Sequence, residues 1–254
     1  MKNLLCHFAA AFIFSSLTAC STAATHADIR IINRNTGEQL PTYRYKGELW
    51  VAGKPGNRYS ILVNNRTGGR LLTVVSVDGV NVLSGDTAAT NQRGYVLSPR
   101  NSVEIAGWRK SERDVAAFYF TSLDNSYAGR TNRPENVGVI GVAAFREYQA
   151  PVPVQEMSDN AAGAEMRSRD AAAPASAPAL AAKAESKLGT GHGERVYSPT
   201  QTVEFQRASN TPDDVITVRY DSYANLVARG VIPSPHRQPV PNAFPGGNYV
   251  PDPS

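Results

Sequence analysis

A chain of 254 residues allows one or two domains, and 41% hydrophobic with 19% charged residues fits a globular protein diluted by low-complexity segments. The formal net charge of +4 is mild, and most of it falls between Asp28 and Gln149, where 16 Lys and Arg face 11 Asp and Glu. These charges are scattered along the chain. They read as a solvated surface, with a leaning toward anionic partners such as lipopolysaccharide or peptidoglycan carboxylates as the alternative.

Residues 1–19 combine a basic residue, Lys2, with an apolar run from Leu4 to Phe14, the pattern of a secretory signal peptide. The run is too short for a stable transmembrane helix, which takes roughly 20 apolar residues. It ends in Leu17-Thr18-Ala19-Cys20, which resembles the lipobox of bacterial lipoproteins. That resemblance implies cleavage before Cys20, acylation of its thiol and new amino terminus, and a membrane contact made through the lipid. Ser21 after the cysteine implies sorting to the outer membrane of a Gram-negative cell. The alternative is cleavage after Ala27, in a stretch of small residues, leaving a secreted or periplasmic protein. Cys6 and Cys20 are the two cysteines. Cleavage before Cys20 without lipidation would leave a lone exposed thiol in an oxidising compartment. An exported protein is a poor candidate for nucleic-acid binding. Residues 20–27 are expected to be a lipidated tether that includes His26.

Residues 28–149 carry the period-two alternation of strands. Tyr59, Ile61 and Val63 alternate with Ser60, Leu62 and Asn64. Arg70 to Val77 is rich in Leu, Val and Thr. Asp78-Gly79 then predicts a two-residue hairpin turn into Val80 and Val82, since both turn positions need positive φ. Val103 and Ile105 continue the alternation. Val115 to Phe120 and Val137 to Phe145 are apolar on both faces and are expected to be central strands. The strings GRLLTVVSVDGVNVLSG, QRGYVLSP, GWRKSE and AAFYFTSLDNSYAGRTNRPENVGVIGVAAFRE resemble an uncharacterised exported family of proteobacteria. So do LGTGHGERVYSPTQTVEFQRAS and YDSYANLVARGVIP further on. The family has no assigned activity, so the resemblance implies one shared β-rich architecture and nothing about chemistry.

Residues 150–187 change to Ala, Pro, Ser and charged residues and read as a linker. Residues 188–232 regain apolar alternation. Thr202 to Gln206 and Val215 to Tyr220 are expected to form a hairpin. A short helix should follow through Arg229, capped by Asp221 and closed by Gly230. Some 45 residues are too few for an independent core, so this unit should dock on the main sheets at an edge. Residues 233–254, rich in proline, read as a disordered tail. The expected fold is mainly β: a single antiparallel β-sandwich with a C-terminal hairpin and short helix docked on it, flanked by a disordered linker and tail.

No metal or cofactor is expected, because the histidines and acidic residues form no recognisable ligand pattern. The stretch Leu188-Gly189-Thr190-Gly191-His192-Gly193 reads as a hinge where the linker re-enters the fold, with a ligand-binding loop as the alternative. Two places carry the binding hypotheses. The polar connection Asp124 to Asn136 offers Tyr127, Arg130 and Arg133 for an anionic or sugar ligand. Its structural alternative is a short capped helix closing one end of the sandwich, with the arginines neutralising Asp124 and Glu135. Gly107-Trp108-Arg109-Lys110 places an aromatic beside two cations, with Trp108 either exposed for contact or plugging the core. The expected activity is therefore binding of another envelope protein or of a cell-wall or surface glycan, without catalysis. The alternatives are a hydrolase of envelope glycans and a structural spacer.

Overall fold

Asp78 and Gly79 adopt φ of +53° and +72° and reverse the chain between Val77 and Val80, which pair across the turn. The same alternation that precedes this turn builds the rest of the molecule. The computed structural model describes residues 25–150 and 187–234. The expected signal peptide, Cys20, almost all of the expected linker and the Pro-rich tail lie outside the described residues.

Among the described residues thirteen strands form two packed sheets, so the fold is mainly β, as expected. The first sheet orders β1 (Ala27–Asn33), β4 (Arg58–Asn65), β10 (Asp114–Ser122) and β12 (Leu188–Tyr197). In it β8 (Ser102–Ile105) pairs with β4, and β9 (Gly107–Arg109) with β10. The second sheet orders β2 (Thr42–Tyr45), β3 (Glu48–Gly53), β13 (Asp214–Ser222), β11 (Val139–Arg146), β5 (Leu71–Val77) and β6 (Val80–Asn81). In it β7 (Tyr95–Leu97) pairs with β5. The apolar runs read as central strands are β10 and β11, each hydrogen-bonded on both sides.

Between the sheets Tyr59, Phe118 and Phe120 stack, with the Phe118 and Phe120 ring centroids 5.3 and 4.3 Å from that of Tyr59, and meet Tyr220, Val75, Val77, Ile140 and Val142. Each buried aromatic or branched side chain contributes about 1.5–3 kcal/mol of transfer free energy.

The C-terminal segment differs from expectation in three ways. The Gly-rich stretch is no hinge: it is the start of β12, paired with β10 from Ser122↔Leu188 onward. A Cβ at Gly191 would lie 2.2 Å from the Tyr119 ring across the ladder, so any other residue there would displace that ring. Residues 202–206 form no strand, and β12 and β13 do not pair with each other. Instead β13 inserts between β11 and β3, antiparallel to the first and parallel to the second. The second sheet is thus completed from within, while β12 extends the first sheet at its edge beside β10. Helix α2 (Tyr223–Ala228) follows at once. Its N-cap is Ser222, whose hydroxyl accepts from the Asn225 amide at 3.1 Å, so the cap sits one residue beyond Asp221. Leu226, Val231 and Ile232 then cover Trp50 on the outer face of the second sheet.

His26 and Ala27 also belong to the fold and not to a tether. Ala27 is 1% exposed and opposite Asn65, and the His26 ring lies 3.2 Å from the Asp214 carboxylate.

Candidate ligand-binding face

One end of the sandwich is closed by the connection between β10 and β11, which coils into two single-turn 3-10 segments and helix α1 (Tyr127–Arg130). Ser126 caps α1, its hydroxyl accepting from the Gly129 amide at 3.0 Å. The polar connection is therefore a capped turn. Neither Arg130 nor Arg133 forms an ion pair with Asp124 or Glu135, as every salt bridge among the described residues lies elsewhere.

The alternation of β9 sends Trp108 inward and Arg109 outward. Trp108 is 3% exposed and stands edge-on to Phe118 at 4.8 Å, so it plugs the core. Above it Tyr127 lies 4.9 Å away, and the His192 ring stacks at 6.2 Å with an interplanar angle of 12°. Tyr127 and His192 are 5.5 Å apart. Trp108, Tyr127 and His192 thus form one aromatic cluster, with Trp108 as floor and the exposed imidazole as rim. The Trp108 Nε1 is a buried donor with no partner within the described protein.

Cations surround this cluster. The imidazole pKa is lowered from its ordinary value by partial burial first, and then by the charges of Lys110 and Arg130. At neutral pH the ring is therefore uncharged. Lys110 and Arg130 are exposed and have no carboxylate within 4 Å among the described residues. Arg133 is occupied differently. Its guanidinium donates to the Gly85 carbonyl at 3.1 Å and to the Thr131 hydroxyl, and it lies over the Tyr127 ring at 5.8 Å. It fixes Tyr127 and does not project toward a ligand.

Of the five residues singled out from the sequence, Trp108, Tyr127, Arg130 and Arg133 converge here, and Arg109 does not. The Arg109 guanidinium donates to the Tyr95 hydroxyl at 3.0 Å and to the Ser198 carbonyl. It lines a separate open groove of about 1330 Å³ between the sheets and the segment after β12. The two regions share a loop, since Leu83 and Ser84 line the groove and Gly85 anchors Arg133.

His192 is the member that sequence reasoning misplaced. With glycines at 189, 191 and 193, β12 has no side-chain alternation to reveal it as a strand, and from sequence its histidine reads as part of a hinge. Among the described residues no group of three His, Cys, Asp or Glu is positioned to hold a metal ion. No family model, curated protein or solved structure matches this chain.

Proposed function

We propose that the protein is a lipid-anchored binding protein of the Gram-negative envelope, and that the face built by Trp108, Tyr127, His192, Lys110 and Arg130 takes an anionic glycan. The observation that carries this reading is the charge around His192. The charges of Lys110 and Arg130 both bear on it; both cations are exposed, and neither has a carboxylate partner within 4 Å among the described residues. Such a site attracts an anion by charge-assisted hydrogen bonds and presents Tyr127 for contact with the body of a sugar. Binding without catalysis fits the same surroundings. His192 has cations beside it, where a general base needs an orienting carboxylate.

Export with lipidation at Cys20 is supported from the other end of the fold. Cleavage after Ala27 would remove a core residue that is 1% exposed, together with His26, whose carbonyl accepts from the Arg66 amide at 2.8 Å. Cleavage before Cys20 leaves both in place. The address agrees with the ligand class, since the envelope is where carboxylate- and phosphate-bearing glycans are displayed.

The test is co-sedimentation of the full-length protein with purified peptidoglycan sacculi, and capture on lipopolysaccharide, comparing wild type with Lys110→Ala/Arg130→Ala. Retention on one of the two polymers, weakened about tenfold by the double substitution, is the expected result. Equal retention of the variant, or none by wild type, would overturn the assignment.

A further inference from the structure

Residues 198–206 leave β12 and run along the open side of the sandwich outside both ladders, until Arg207 makes a single antiparallel bridge to Glu147 just beyond β11. They are tied at both ends. The Ser198 and Thr200 amides donate to the carbonyls of Arg113 and Glu112 at 2.7 and 2.8 Å. The Glu204 carbonyl accepts from Arg70 at 2.9 Å, and the Gln206 carbonyl from the Tyr148 amide at 2.8 Å. Between these ties Gln201, Thr202 and Val203 make no hydrogen bond within the described protein, by main chain or side chain. All three are exposed, Val203 at 51%. A short exposed run outside any helix or strand, with its amides and carbonyls unpaired, can offer them to another strand.

The groove beside this run supplies side-chain chemistry. Arg93 and Arg113 line it, both exposed and neither with a guanidinium partner among the described residues. Arg109 and Arg207 line it too. Their guanidiniums donate to main-chain carbonyls, of Ser198 and of Thr90 and Gln92, and to no carboxylate. Against four arginines stand Glu112 and Glu204. Val96 and Phe205 give the floor an apolar strip that packs on Leu72 and Phe145. A groove of about 1330 Å³ is larger than a small-molecule pocket and suits a length of polymer.

We propose that this groove binds an extended, acidic segment of a partner polypeptide. The segment pairs by its main chain with Gln201–Val203 and places carboxylates on Arg93 and Arg113. Successive side chains of an extended peptide point to opposite sides, so apolar residues reach the Val96 and Phe205 strip while acidic ones reach the arginines. A glycan satisfies the arginines but cannot form a ladder with three consecutive residues. This is a second site, distinct from the His192 face and independent of its ligand.

The test uses a fluorescent blocked peptide of five Glu-Val repeats, with five Lys-Val repeats as control, titrated into the full-length protein and followed by anisotropy. The acidic peptide is expected to bind and the basic one not. Arg93→Glu/Arg113→Glu, at two exposed positions, should weaken binding about tenfold or more, while Lys110→Ala/Arg130→Ala leaves it unchanged. Amide exchange at Gln201, Thr202 and Val203 should slow on binding. Absence of binding at about millimolar peptide, binding that survives the charge reversal, or unchanged exchange at those three amides would each overturn the proposal. So would polygalacturonate competing at the same arginines without protecting residues 201–203, an outcome that assigns the groove to a glycan.

Discussion

Asp78 serves both a turn and the core. Its backbone makes the hairpin between β5 and β6, and its carboxylate, fully buried, accepts from the Tyr220 hydroxyl at 2.5 Å, the Gly138 amide at 2.9 Å and the Thr190 amide at 2.8 Å. The Tyr220 hydroxyl is also 2.6 Å from Thr190 Oγ1, which is 2.6 Å from the Tyr59 hydroxyl. The hydroxyls thus form a chain ending on one buried acid, in which each bond polarises the next. Burial pushes the Asp78 carboxyl from 3.8 up to about 6, while the Tyr220 hydroxyl and main-chain hydrogen bonds at Gly138, Thr190 and Val139 pull it down. Because the folded value exceeds the unfolded one, this group's stabilising contribution is complete below about 3.8 and is lost as pH rises through about 6. The change is on the order of 3 kcal/mol. We expect carboxyl carbon NMR to place the Asp78 titration near 6, and Tyr220→Phe to move it higher by removing a bond to the ionised form. A titration near 4 would contradict this. Gly107 gives a second residue-level prediction. A Cβ there would sit 2.0 Å from the Ala116 carbonyl. Gly107→Ala should therefore cost about 1–3 kcal/mol or more in denaturant unfolding, since the main chain of β10 has little room to move.

At the level of elements, legibility followed side-chain periodicity. The β5–β6 hairpin, the β10 and β11 runs and the region of α2 were readable because alternation, an Asp-Gly turn and a closing glycine are local signals. The path of β12 was not. Its glycines at 189, 191 and 193 have no side chains to show a period, and they are needed for close approach to Ser126, Tyr119 and Ala117, long-range facts that a local pattern does not contain. The place of β13 between β3 and β11 was equally hidden, because a parallel partner some 170 residues away leaves no mark on either strand. The same holds for the ligand face. Tyr127 and Arg130 stood out as polar-loop residues, but the stacking of His192 over Trp108 depends on the register of β12. For α2, Ser222→Ala removes the cap and should lower stability by about 1 kcal/mol in thermal or denaturant unfolding.

Across the whole molecule, the N-terminal and C-terminal portions complete each other. Both sheets contain a strand from beyond the linker, and β13 is interior to its sheet. A fragment ending at Gln149 would leave β3 and β11 unpaired at that junction and expose Ile140, Val142 and Phe118. Such a fragment should fail to give a cooperative unfolding transition, whereas a chain ending after Ser234 should retain one. The proposed lipidation at Cys20 bears on this scale too, because Ala27 at the start of β1 is in the core. The most direct test of the central claim is an imidazole-proton NMR titration of His192 with and without soluble peptidoglycan fragments. The account predicts a free pKa below 6.5, raised when the anionic ligand offsets Lys110 and Arg130, with shifts also at Tyr127. A titration unchanged by fragments that do bind the protein would place the ligand elsewhere and contradict the account.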